Sequence, residues 1–201
     1  MICDADDIVA PAWLEAHVAC LDSHDISGGP LDEVSLNSEE VQFLNADRLA
    51  TDNPTACRFW PYAFGGNCGF HRRVWAEIGG YNEAWVRGST EVEFCWRARA
   101  AGFTLGFAPA AVVQYRHRAT VSLELRRHLR AAKAPPRLYK AFAADGMPRT
   151  NTATSLKAWA WLALHLPDLM RGAERKARWL NTATWRAGHL LGSLRYRTLY
   201  L

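Results

Sequence analysis

Beyond residue 125 this chain carries 15 Lys and Arg against 3 Asp and Glu, whereas residues 1–125 carry 9 against 17. The net charge of +4 therefore hides a first part at −8 and a second part at +12. Like-charged side chains at such density have to be spread over solvent-facing surface, so the two parts are expected to face different partners. A domain over 1–125 followed by a basic helical region over 126–201 is the division this predicts. Trp159, Trp161, Trp179, Trp185, Tyr196 and Tyr200 are interleaved with the basic residues of the second part. That mixture suits a membrane surface rich in anionic lipid, a nucleic acid, or a solvated helical face packed on its own domain. No segment looks like a groove-reading motif, so no nucleic-acid partner is expected.

The first part alternates strand, helix and strand, which predicts an α/β layer with a mostly parallel sheet. Pro11 at a first helical position, with Leu14, Val18 and Leu21 on one face, predicts an amphipathic helix over 11–22. Asp25 to Pro30 reads as a short strand entering a turn, and about 30 polar residues without a period follow, a long surface loop. A short helix from Arg72 to Ile78 should stop at Gly79-Gly80, and another should run from Thr90 to a stop at Gly102. Thr90 and Glu93 have the spacing of a capping box, which places Glu91 on the first turn of that helix. Phe103 to Tyr115 is rich in apolar and β-branched residues and reads as one or two strands. In the second part the apolar run within Ser155–Arg171 puts Trp159, Leu162, Leu166 and Leu169 on roughly one face. Pro167 interrupts it, and it is too short to span a bilayer.

Five cysteines, at positions 3, 20, 57, 68 and 95, form no CxxC pair and have no histidine at zinc-ligand spacing. They read as reduced thiols of a cytosolic protein. Met1-Ile2-Cys3 runs directly into an acidic cluster, so no signal peptide is expected and a cytoplasmic location is.

Two groups of carboxylates could carry chemistry. Asp4 and Asp6, one residue apart at the end of a strand, supply the hard oxygen ligands that Mg²⁺ or Mn²⁺ prefers. The same acids, with Asp7, would also suit the positive end of the helix that follows. Glu91, at a helix start after a glycine-rich segment, could accept a proton from an attacking hydroxyl. Equally, it could be a first-turn acid favoured by the helix dipole.

Taken together, four segments resemble family 2 glycosyltransferases, in order and spacing, over roughly residues 1–120. They are Asp4-Ala5-Asp6-Asp7 with Pro11-Ala12-Trp13-Leu14, Gly65-Gly66-Asn67-Cys68-Gly69-Phe70, Ile78-Gly79-Gly80-Tyr81-Asn82-Glu83, and Glu91-Val92-Glu93-Phe94-Cys95-Trp96-Arg97. The resemblance implies a partial GT-A (nucleotide-diphospho-sugar transferase) fold with a mixed, mainly parallel sheet, followed by C-terminal amphipathic helices. It implies metal-dependent inverting transfer of a sugar from a nucleotide-sugar donor to a saccharide or lipid-linked hydroxyl. By it, Asp4 and Asp6 hold Mn²⁺ or Mg²⁺ and the donor diphosphate, and Glu91 is the catalytic base. Trp60, Gly65, Gly66, Asn67, Thr90 and Arg97 would contact substrate.

This chain departs from the family in four places. No counterpart of the family's nucleotide-binding half precedes Asp4, and Thr90-Glu91 stands where Glu-Asp is usual. Gln114 occupies the position of a histidine that can complete the metal shell. No Gln-x-x-Arg-Trp occurs, the nearest run being Arg126-Arg127-His128-Leu129-Arg130, so single addition is favoured over polymerisation. The basic tail resembles helices with which some bacterial members sit on the inner face of the plasma membrane, and a peripheral location there is expected. The alternative is a truncated, inactive fragment that at most binds membranes or proteins.

Overall fold

The computed structural model describes residues 1–45, 49–85 and 88–200. The chain forms two compact units, Met1–Leu36 with Asp47–Arg116, and Asn37–Ala46 with His117–Leu201.

The first unit is α/β. Its strands are β1 (Ile2–Cys3), β2 (Ile8–Val9), β3 (Ile26–Gly28), β4 (Leu31–Asp32), β5 (Asn67–Phe70), β6 (Leu105–Phe107) and β7 (Val113–Gln114). They make one sheet in the order β1-β5-β3-β6 and a second in the order β2-β7-β4. Among these strands β3–β6 and β4–β7 pair in parallel, whereas β1–β5, β3–β5 and β2–β7 are antiparallel. The expectation of a mainly parallel sheet is thereby corrected. β5 follows the Gly65-Gly66 turn, lies between β1 and β3 and runs antiparallel to both.

Helix α1 (Trp13–Leu21) starts two residues after Pro11, which sits instead in the turn closed by Trp13 N–H donating to Ala10 O at 2.9 Å. The face expected to be buried is outside: Leu14 and Val18 are exposed, and His17 is fully buried. Partners decide this. His17 has hydrogen-bonding groups on both ring nitrogens, and an apolar residue there would orphan them. Helix α3 (Arg72–Ile78) ends at Gly79, whose left-handed φ of 76° closes it as expected. Helix α4 (Thr90–Ala100) ends at Ala101, before Gly102 at φ 94°.

The core of this unit is Ile26, Ala63, Cys68, Val74, Phe94, Cys95 and Ala98, with Ile2, Tyr62, Phe70 and Leu105 packed against it. The larger of these side chains each contribute about 1.5–3 kcal/mol by leaving water. None of the five cysteines is in a disulfide. Burial pushes the thiols of Cys68 and Cys95 up to about 11 and about 12.

The second unit is helical. It contains α2 (Glu39–Asn45), α5 (Val121–Ala131), α6 (Ala134–Phe142), α7 (Thr152–Leu164) and α8 (Ala173–Tyr196), with a 3-10 turn at Leu166–Met170 around Pro167. Part of the expected long loop is therefore ordered. α2 buries Val41 and Leu44, and Asn181 on α8 donates from Nδ2 to Leu44 O. α8 is the spine on which α2, α5, α6 and α7 pack. It approaches the α5–α6 junction through Gly188 and Gly192, where a Cβ would stand 2.3 Å from Ala132 Cβ and 2.6 Å from Lys133 O. Among the described residues no helix is long and apolar enough to cross a membrane.

Candidate active site

The acidic motif is a tight turn between β1 and β2, closed by Asp7 N–H donating to Asp4 O at 3.3 Å. β1 pairs with β5 through Ile2↔Cys68 and Cys3↔Asn67, so the next residue in register, Asp4, stands opposite Gly66. The glycine is required by space. Neither Gly65 nor Gly66 has a left-handed φ, but a Cβ on Gly66 would lie 3.0 Å from Asp4 Oδ2 and 3.1 Å from its Cγ. A Cβ on Gly65 would lie 3.5 Å from Glu91 Cβ and 4.0 Å from Glu91 Oε2. Asp4 from a strand end and Glu91 from the first turn of α4 thus flank one two-glycine turn. An anion at that helix end is favoured by the dipole.

Asp4 and Asp6 are exposed, while Asp7 is half-buried. Asp7 Oδ1 accepts the Arg116 backbone N–H at 2.7 Å, and Arg116 Nε donates to Asp6 O at 3.0 Å. The β2–β7 register, Ile8↔Gln114, carries Arg116 to the position opposite Asp6. Asp7 Oδ2 is buried with no hydrogen-bond partner. Burial raises the Asp7 carboxyl above its ordinary value, and the Arg116 N–H opposes that rise. Among the described residues no group of three or more His, Cys, Asp or Glu is arranged to hold a metal ion. What the turn offers is two solvent-facing carboxylates, which suits a hard divalent ion that keeps water and completes its shell with substrate phosphates.

The other expected substrate contacts fare differently. Asn67 is fully buried and spends its whole amide inside the protein. Its Nδ2 donates to Pro30 O (2.9 Å) and Ala111 O (2.8 Å), and its Oδ1 accepts from Trp13 Nε1 (2.8 Å). That oxygen also faces His17 Nε2 at 2.9 Å, while Ser27 Oγ lies 2.8 Å from His17 Nδ1. Because Nδ2 meets two carbonyls, Oδ1 must be the acceptor, and His17 donates from Nε2 and accepts from Ser27. Burial lowers the His17 pKa, in keeping with a neutral ring. Asn67, expected as a substrate contact, is here a buried tie beneath the turn.

Arg97 is likewise occupied. It binds Glu93 and the carbonyls of Ile78 and Gly80, and Asn82 also donates to Glu93. The capping box does not form, because Glu93 is turned inward onto Arg97 and is 4% exposed. Ser89, at φ 58°, is the helix cap, and Thr90 Oγ1 donates to Trp85 O at 2.7 Å. Trp60 is stacked on Phe59 (centroids 4.3 Å apart), with the Arg99 guanidinium 5.2 Å from its ring centroid. Gln114 is half-buried at the end of β7.

Two contributors escape sequence reasoning. Burial drives the Tyr62 phenol well above its usual range, and the Glu91 charge adds to the rise. Arg116 buttresses the acidic turn, and only knowledge of which strand pairs with β2 reveals it. Ser89, Cys57 and Arg58 are non-glycine residues with left-handed φ, and such conformations cluster at functional sites. Neither a known family model nor a curated protein matches the chain.

Proposed function

We propose that the first unit is the metal- and acceptor-binding part of a GT-A glycosyltransferase, transferring a sugar with inversion from a nucleotide-sugar donor to a saccharide or lipid-linked hydroxyl. The observation that carries this reading is the placement of Asp4 and Glu91 on either side of the Gly65-Gly66 turn. Asp4 and Asp6 would hold Mn²⁺ or Mg²⁺, whose chemistry is to neutralise charge on the departing diphosphate. Glu91 takes the proton from the acceptor hydroxyl as its oxygen bonds to the anomeric carbon and the carbon–oxygen bond to the diphosphate breaks. A positioned base of this kind is worth about 10²–10⁴-fold in rate. Arg116 braces the turn that carries Asp4 and Asp6 by binding Asp7 Oδ1 and Asp6 O.

A second reading, an inactive module that binds membranes or proteins, draws support from the exposed apolar residues Ile8, Leu14 and Val18 of the first unit. One assay separates the two. Sugar release and transfer from UDP-, GDP- and dTDP-sugars to a membrane lipid extract is followed with Mn²⁺ or Mg²⁺ and with EDTA. The transferase reading expects turnover that the chelator abolishes; absence of turnover across the donors, or turnover indifferent to EDTA, contradicts it.

A further inference from the structure

Helix α7 is apolar on both sides. Its inner side meets α8, where Trp179 Nε1 donates to Leu162 O at 2.9 Å and Arg186 donates to Ser155 Oγ at 3.1 Å. Its outer side presents Leu156 and Leu164, 69% and 77% exposed, with Trp159 between them. The 3-10 turn extends the ridge with Leu166 and with Met170, which is 93% exposed. A helix that is apolar all round belongs in a core or against a second apolar phase, and among the described residues this one packs chiefly on α8 and the 3-10 turn. Contiguous exposed apolar surface marks an interaction site, whereas scattered single residues do not.

The surroundings of the ridge name its partner. Lys157 lies within it, and Arg171, Arg175 and Lys176 follow directly, all exposed. From residue 152 to 178 the acids are Asp168, which is buried and lies 3.5 Å from Arg171 Nη1, and Glu174. A protein partner would have to match this rim with acids of its own, whereas a bilayer containing anionic lipid offers phosphate at continuous density beside an apolar interior. Tryptophan at the margin of such a ridge suits the headgroup boundary. α7 has 13 residues, too few to cross a bilayer, so it would lie in the interface plane.

We propose that the ridge from Leu156 to Met170 docks the second unit on an anionic membrane surface. The apolar side chains enter the acyl boundary, and Lys157, Arg171, Arg175 and Lys176 meet lipid phosphates. This inference does not depend on the sugar-transfer reading, and a protein with no transferase activity would dock in the same way.

The test is co-sedimentation of the full chain with vesicles of phosphatidylcholine alone and of phosphatidylcholine with phosphatidylglycerol. Binding should require phosphatidylglycerol, weaken with salt, and fall about fivefold for each basic residue of the rim changed to Ala. Leu164→Asp with Met170→Asp should abolish it, whereas Leu49→Asp, exposed on the first unit, should leave it unchanged. Met170→Asp alone must weaken it too, and its side chain is too exposed for the change to unfold the helix. Failure of the unaltered chain to sediment with anionic vesicles overturns the proposal, as does undiminished binding by the double variant. It is equally overturned if sedimentation velocity reveals a dimer that Leu164→Asp dissociates while no vesicle binding is seen, because the ridge is then a contact between copies of the chain.

Discussion

The two units bury their polar groups differently. In the first, a neutral network of His17, Ser27 and Asn67 is buried beside two simple ion pairs, Asp25 with Arg73 and Glu93 with Arg97, and the acids of the Asp4–Asp7 turn stay in or near solvent. In the second, an ionic cluster is buried. Glu124 Oε1 lies 3.2 Å from His117 Nδ1 and 3.2 Å from His128 Nε2 and binds Arg127, while apolar side chains of α7 face outward. Burial alone would raise the Glu124 carboxyl, but His117, His128 and Arg127 outweigh it and hold the group far below the usual carboxylate range. Carboxylates left in solvent, such as Asp4 and Asp6, are available to a ligand, whereas one held by three internal partners, such as Glu124, serves the architecture of its own unit.

The largest effect should come from breaking the internal cluster. Glu124→Ala leaves His117, His128 and Arg127 without their shared acceptor, and removing one partner of a buried ionic group costs about 3–5 kcal/mol. Urea denaturation followed by circular dichroism should show the helical unit losing most of its stability. A shift below 1 kcal/mol would mean that the cluster is not what holds α5 in place.

Asn67→Ala is the matching change in the first unit. It removes the acceptor for Trp13 and His17 and the donor to Pro30 and Ala111, and should cost about 2–4 kcal/mol. If the side chain instead met substrate, the variant would keep its stability and lose only substrate affinity. The melting temperature and the KM, measured together, decide between these outcomes.

Acid should weaken the second unit through His189. Burial, with the nearby Arg186 charge, lowers its pKa from 6.5 to about 4. The unfolded chain therefore takes up a proton before the folded one does, so stability is complete above about pH 6.5 and falls as the pH drops towards 4. The loss is at most about 3 kcal/mol. His189→Gln should flatten the urea midpoint between these pH values. An unchanged slope would assign the acid sensitivity to other groups.

The smallest contrast is the sharpest. Gly66→Ala drives a Cβ to 3.0 Å from Asp4 Oδ2 and should lower turnover about tenfold, whereas Gly65→Ala makes ordinary contact with Glu91 and should be tolerated. Equal losses from both would show that the turn needs glycine for flexibility, not for room.

Local chemistry made much of the first unit legible. The end of β1 at Cys3, the halt of α3 at Gly79 and the strands between Phe103 and Tyr115 all follow from short-range rules. Long-range partners decided the rest. α2 is too short to show a period, and Val41 and Leu44 are buried in a unit whose other helices begin some 80 residues later. Thr90 and Glu93 have capping-box spacing, but Arg97, one turn on, captures the carboxylate. Asn67 reads as a substrate contact until its partners on α1, Trp13 and His17, are known. At the candidate site the acidic turn and Glu91 were visible as residue types. That Gly65-Gly66 joins them depends on the β1–β5 register, which no local pattern encodes.

Glu91, across the two-glycine turn from Asp4, is proposed as the base of a sugar transfer. Single-turnover transfer from the active nucleotide sugar, with saturating Mn²⁺, by the unaltered chain and by Glu91→Gln tests it most directly. The transfer rate should fall about 10²–10⁴-fold in the variant with the fold and metal dependence retained. A Glu91→Gln variant that transfers sugar at the unaltered rate would contradict it.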